Sequence, residues 1–148
     1  MLEKLSLYRF HYPIQIRWAD IDALNHVNNA VYLSYFEQAR IDYFREAVDW
    51  RWEEVGMILA KSCISYYKPL LARDSAEVWL RVSRLGNKSF DMENMVVRTL
   101  ANGEKECLTH CVSTLVTYDY RNQVSVPLPE HVRAAVLANE KPDSVQIG

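Results

Sequence analysis

The chain has 148 residues, 49% of them hydrophobic and 24% charged, and a net charge of −2. That length can bury the core of one domain, and the composition is too apolar for a disordered chain. The near-neutral charge removes any electrostatic case for a nucleic-acid partner, and no apolar run approaches a membrane span.

The first nine residues carry Glu3, Lys4 and Arg9 and lack the apolar core of a leader peptide. Residues 10–18 then alternate, with Tyr12, Ile14, Ile16 and Trp18 on one face and His11, Gln15 and Arg17 on the other. Period two predicts a half-buried strand. Over residues 29–48 the period changes: Tyr32, Tyr35, Phe36, Ala39, Tyr43 and Ala47 fall on one helical stripe, with Asn28 or Asn29 as N-cap. A short helical turn is expected over residues 52–55, ended by Gly56. Strands follow at 57–68, 76–85, 89–100 and 106–120, broken by Pro69, Gly86-Asn87 and Asn102-Gly103. Pro127 and Pro129 precede a peripheral helix at 130–138.

One long helix beside about five long strands cannot make a doubly wound sheet, which needs a helix between most strands. It suits an α+β unit, an antiparallel sheet wrapped around one helix. Three cysteines, Cys63, Cys107 and Cys111, form no C-x-x-C, so neither a zinc site nor a disulfide framework is expected, and a reducing cytoplasm is the simplest setting.

Residues 16–32 hold the chemistry. A strand end is followed by Asp20, Asp22, Asn25, His26, Asn28 and Asn29, and the amphipathic helix starts at once. A carboxylate and an imidazole beside the free N–H groups of a helix start can attack a carbonyl and hold its oxyanion. The spacing Asp-x-Asp, three residues, His-Val-Asn-Asn, two residues, Tyr32, then Phe36-Glu37-Gln38-Ala39-Arg40, resembles the signature of hotdog-fold thioesterases. The 4-hydroxybenzoyl-CoA thioesterase branch and its acyl-CoA thioesterase cousins are the nearest in pattern, over roughly residues 10–126. The resemblance implies a hotdog fold across residues 1–148. It also implies hydrolysis of an acyl-CoA to a free acid and CoA, with acyl-carrier-protein esters as alternative substrates.

By the same resemblance Asp22 matches the branch's general base or nucleophile, and Asn29 the oxyanion donor through its backbone. No metal and no cofactor beyond the CoA of the substrate are implied. A homodimer or homotetramer with sites between subunits is implied. Related plant acyl-carrier-protein thioesterases carry Asp-x-Asn-x-His. Here Asp22 and His26 match, but Leu24 stands where the Asn is expected. His26 is therefore read two ways, as a loop-locking hydrogen-bonder or as a catalytic group. Asp20 is expected to bond loop backbone or pair with Arg17, and one of the two carboxylates would be protonated if they lay close together. Glu37 is a rival base by analogy with another hotdog branch, though a surface pair with Arg40 is its simpler role. Arg84, Lys88 and Ser89, on the turn with Asn87, are the expected CoA contacts, with Lys68 and Arg73 flanking a second turn. Trp18, Tyr32, Tyr35 and residues 57–59 are candidates for an acyl pocket. A non-catalytic acyl-CoA-binding module, a structural protein that keeps only the fold, and a hotdog dehydratase or hydratase are the other readings.

Overall fold

The first strand is shorter than its alternation suggests. In the computed structural model, which describes residues 2–148, β1 (Phe10–Pro13) pairs antiparallel with β3 (Ser75–Leu85) from Phe10↔Leu80 to Pro13↔Glu77. Met1, part of the segment read above as no leader, lies outside the described residues. The last ladder bond runs from Ile14 N to the Ala76 carbonyl at 2.9 Å. Because β3 begins at Ser75, opposite Gln15 in this register, nothing of it remains to pair with residues 16 and 17, and the chain enters a 3₁₀ turn at Trp18–Asp20.

The long helix forms as α1 (Val31–Tyr43) and widens into a π-helical turn at Phe44–Val48. Asp49, with φ 51°, takes the left-handed conformation that ends it. At the other end the N-cap is Ala30, not Asn28 or Asn29, with no side-chain cap among the described residues; Asn28 Oδ1 accepts the Ala30 N–H at 2.9 Å in an Asx turn that leads into the helix. Tyr32, Tyr35, Phe36, Ala39 and Tyr43 are buried as their stripe requires, and Arg40 is buried with them. The turn expected over residues 52–55 forms as a single hydrogen-bonded turn, the Arg51 carbonyl accepting Glu54 N at 3.2 Å and Val55 N at 3.5 Å, but Gly56 does not cap it. Gly56 instead opens β2 (Gly56–Tyr66), where the Tyr120 ring lies against its Cα and leaves no room for a side chain.

β4 (Ser89–Thr99) and β5 (Lys105–Asp119) complete the curl, in the order β1-β3-β4-β5-β2. The hairpin turns fall where Gly86 and Gly103 stand, Gly103 with φ 85°. Bulges at Leu59/Lys61, Val82/Arg84 and Val96/Val97 bend the strands, as an extra residue on one side of a ladder does. Two short strands were not anticipated: β6 (Val124–Ser125) on β5, and β7 (Gln146–Ile147), parallel to β3. Between them α2 (Glu130–Asn139) seats Val132 and Val136 in the main core. That core fills the space between α1 and the inner sheet face, where Phe36 and Tyr43 join Leu80, Met92 and Leu115. A smaller cluster of Tyr8, Met95 and Val97 is separate from it.

Candidate active site

The approach to the helix is held by Asp20. Its Oδ2 accepts the Arg17 backbone N–H at 2.9 Å and the Tyr35 hydroxyl at 2.7 Å, and its Oδ1 accepts Arg17 Nη2 at 2.9 Å. Burial alone would raise the Asp20 pKa, but these donors outweigh it and hold the carboxyl below the usual range. Asp20 therefore stays ionised at neutral pH, and the shared proton considered for the two carboxylates does not fall on it. Its backbone carbonyl also accepts the Asn28 N–H at 2.8 Å, tying the loop's exit to its entrance.

Between them residues 21–27 make a tight reversal, with an Ile21↔Val27 bridge and Asn25 at φ 61°. Asp22 pins it. Its Oδ1 accepts Leu24 N at 2.8 Å and His26 N at 3.3 Å, and its own N–H reaches the His26 carbonyl at 2.8 Å. One carboxylate oxygen is thus a loop lock of the Asx-turn kind. The other, Oδ2, has no hydrogen-bond donor among the described residues. His26 locks the loop through its backbone, and its half-buried ring has no hydrogen-bond partner among the described residues.

Asn29 lies just before Ala30, the N-cap of α1. Its carbonyl accepts the Tyr66 hydroxyl at 2.8 Å, and its N–H has no acceptor among the described residues. The loop is further tied to the 67–74 connection, since Val27 N reaches the Leu70 carbonyl at 2.9 Å and Leu70 N reaches the Tyr32 hydroxyl at 3.3 Å. Tyr32 and Tyr35 are consequently core residues with hydroxyls spent on positioning the loop. Trp18 is 92% exposed beside it.

The expected CoA turn is at the other end of the sheet. Arg84 is paired with Asp91 at 2.7 Å and donates to Ser89 Oγ at 3.3 Å. Lys88 is exposed and without an ion-pair partner among the described residues, while its carbonyl is held by the Thr117 N–H at 2.9 Å. Thr117 pairs with Met57 at the start of β2, whereas Tyr66 at the end of β2 meets Asn29. Nine residue steps of β2, at about 3.3 Å each, separate Met57 from Tyr66 by about 30 Å. One chain therefore joins Asp22 to His26 in a single loop, with Asn29 three residues further along, and leaves Arg84, Lys88 and Ser89 remote. Near the loop, Lys68 is paired with Glu106, and Arg73 is exposed without an ion-pair partner among the described residues.

Glu37 stands 4.0 Å from Arg40, as expected, but the pair is not a surface one, because the Arg40 side chain is only 10% exposed. Glu37 also lines a cavity of about 470 Å³ between α1 and residues 12–17, with Tyr12, Gln38 and Asp42. Asp22 and His26 do not line it. Sequence reasoning missed Tyr66, a strand-end tyrosine with no motif around it, and the burial of Arg40. Among the described residues no group of three or more His, Cys, Asp or Glu side chains is placed to hold a metal ion.

An antiparallel sheet wrapped around one helix, with a pinned carboxylate loop at the helix start, defines a hotdog-fold protein of the thioesterase type. Residues 16–136 match the Thioesterase-like superfamily, and the chain belongs to that superfamily. It is 24% identical to the long-chain acyl-CoA thioesterase FadM of Escherichia coli over 123 residues, 81% of this chain and 91% of that one. A Thermus thermophilus thioesterase structure complexed with coenzyme A and Zn is 35% identical, with a TM-score of 0.76 over 89% of this chain and 95% of that one. A 4-hydroxybenzoyl CoA thioesterase mutant complexed with 4-hydroxybenzoyl CoA shares the fold. Its TM-score is 0.80 at 15% identity, over 86% of this chain and 97% of that one.

Proposed function

We propose that the protein is a thioesterase that hydrolyses an acyl-CoA to a carboxylic acid and CoA, acting as a homodimer or larger homo-oligomer of single hotdog domains in the cytoplasm. The observation that carries this reading is the division of labour at Asp22. One oxygen fixes the loop, the other has no donor among the described residues, and the Asn29 N–H, at the end of the same loop, has no acceptor among them. A thioester carbonyl seated on that N–H has its developing oxyanion stabilised by the helix start. Asp22 Oδ2 then takes a proton from water as the water oxygen bonds to the acyl carbon, or attacks that carbon itself. In the first course the C–S bond breaks, and the CoA thiolate leaves and takes up the proton that Asp22 accepted; in the second the thiolate leaves a mixed anhydride on Asp22, which water hydrolyses to the free acid, restoring the carboxylate and giving the thiolate its proton.

The separation of Lys88 from Asp22 within one chain supports a site shared between subunits. The outer edge of β2 has no strand partner among the described residues, and Ile58, Leu59, Tyr66 and Tyr67 are exposed along or just beyond it. Such an edge is a template for pairing. Two β2 strands paired antiparallel about a two-fold axis put the Gly56 end of one beside the Tyr66 end of the other. The turn bearing Arg84, Lys88 and Ser89 of one subunit then serves the Asp22 loop of its partner, with Lys88 free to meet phosphate. The test is a panel of short, long and aromatic acyl-CoA and acyl-carrier-protein esters with free thiol detected. Turnover of one class supports the reading, and absence of thiol release from all of them overturns it.

A further inference from the structure

Of the four backbone N–H groups of residues 28–31, three are bonded. Asn28 N reaches the Asp20 carbonyl at 2.8 Å, Ala30 N reaches Asn28 Oδ1 at 2.9 Å, and Val31 N reaches the Asn28 carbonyl at 2.9 Å. The Asn29 N–H shares a rigid peptide plane with the Asn28 carbonyl, so the bond from Val31 fixes the opposite edge of that plane. The next plane, from Asn29 to Ala30, is held on both edges. Asn28 Oδ1 takes its N–H, and the Tyr66 hydroxyl donates to its carbonyl at 2.8 Å. The free N–H is thus bracketed by two clamped planes, and one of the clamps comes from outside the loop and outside α1.

Tyr66 is braced for that position. It ends β2 in register with Thr109, and the next two N–H groups, of Tyr67 and Lys68, both reach the Leu108 carbonyl, at 2.8 and 3.2 Å. Its backbone is therefore anchored to β5. Its ring meets the buried Tyr32 ring edge-on, with centroids 5.2 Å apart and planes at 84°. The Tyr32 hydroxyl is itself tied to Leu70, whose carbonyl holds Val27 N at 2.9 Å. From this support the Tyr66 hydroxyl crosses from the sheet edge to a residue 37 positions earlier in the chain. The bond adds little to stability. Tyr66 is 42% exposed, and water serves an exposed hydroxyl or carbonyl nearly as well. Mobile water does not fix the direction of the Asn29 carbonyl, and a braced ring does. That direction sets the rotation of the backbone at Asn29 and with it the aim of the N–H.

We propose that Tyr66 is a positioning residue for thioester hydrolysis: its hydroxyl, acting through the Asn29 carbonyl, aims the Asn29 N–H at the developing oxyanion. The inference rests on the thioesterase reading of this site and adds to it a group that lies on the sheet rather than in the signature loop. A preorganised donor matters most where charge on the carbonyl oxygen is greatest, so misaiming it lowers the rate of the chemical step and spares substrate binding.

Tyr66→Phe keeps the ring and its packing on Tyr32 and deletes only the hydroxyl. For the best ester of the panel, kcat is expected to fall by about 10-fold, the upper range of one neutral hydrogen bond, with KM within about two-fold of wild type. Tm is expected to stay within about 2 °C, because the bond is exposed. A second measurement needs no turnover. Titration calorimetry compares two non-hydrolysable analogues of lauroyl-CoA, a ketone with a methylene in place of the sulfur and S-dodecyl-CoA, a thioether without a carbonyl. Wild type is expected to bind the ketone more tightly, and Tyr66→Phe to lose that preference while binding the thioether as before. Wild-type kcat and an unchanged preference in Tyr66→Phe overturn the proposal. So does a fall in kcat matched by a lower Tm and by weaker binding of both analogues, which would make the bond a structural one. So does a wild type that does not distinguish the two analogues. Absence of thiol release from every ester by wild type overturns the thioesterase reading instead, while the analogue preference still decides the role of Tyr66.

Discussion

Removing one hydroxyl from α1 measures how firmly the site loop is held. Tyr35→Phe keeps a buried ring and deletes the 2.7 Å donor to Asp20 Oδ2. Asp20 is 2% exposed, so water does not freely replace that donor, and a hydrogen bond to a charged group is worth about 1.5–3 kcal/mol. Arg17 still reaches the carboxylate, but its own side chain is 66% exposed, so screening keeps it from compensating. The expected loss is about 2 kcal/mol, or a Tm lower by about 4–8 °C for a chain of this size. The sign with pH follows from the depressed Asp20 pKa. Stabilisation of the ionised carboxyl is present above its unfolded value, about 3.9, and is lost as pH falls through the lower folded value. Urea melts of wild type and Tyr35→Phe should therefore separate at neutral pH and converge as the pH falls below about 3.9. Because the Asp20 carbonyl holds the Asn28 N–H, kcat is expected to fall as the loop loosens. Melts agreeing within about 0.5 kcal/mol at neutral pH, or a gap unchanged on acidification, would refute this view of the network.

Four further outcomes are expected. Light scattering should give a mass at least twice 17.3 kDa, and a monomer that retains activity would contradict the shared site. Mixing and refolding Asp22→Asn with Lys88→Glu should restore activity that neither variant has alone, because one site of the mixed dimer is then intact; no recovery would place both groups in the same chain's site. His26→Ala should lower kcat less than Asp22→Asn does, since its ring has no partner in the loop, and an equal loss in a normally melting variant would make it an equal catalytic partner. Burial pushes the Glu140 pKa up while Tyr43 and Val82 N donate to it. The stability of its protonated form is thus present at low pH and lost as pH rises through the folded value. Glu140→Gln should raise Tm at neutral pH and less so in acid, and a uniform shift would rule this out.

Most of the architecture was legible because local patterns and tertiary packing agree. The stripe of Tyr32, Phe36 and Tyr43 is the one the core uses, and Gly86 and Gly103 fall at the hairpin turns. The motif also carried the site loop, since Asp22, Asn28 and Asn29 act within a few residues of one another. What stayed hidden depends on long-range partners. Residues 15–17 alternate like a strand but lie at or beyond the end of β3, so residues 16 and 17 meet no opposite residue on it. Gly56 looked like a helix cap and is instead the gap filled by the Tyr120 ring. Arg40 reads as a surface cation from its spacing to Glu37, and only the packing of α1 shows it buried. The distance between Lys88 and Asp22 is likewise a property of strand order, which no local spacing reveals.

The central claim is that Asp22 supplies the base or nucleophile, and Asp22→Asn tests it with little disturbance. An asparagine keeps an Oδ1 to accept the Leu24 and His26 N–H groups, so the loop lock survives. Thermal melting should match wild type. Free-thiol release from the best acyl-CoA substrate should fall by about 10²–10⁴-fold, the contribution of a general base. Hydrolysis at the wild-type rate by a normally folded Asp22→Asn protein would contradict the assignment.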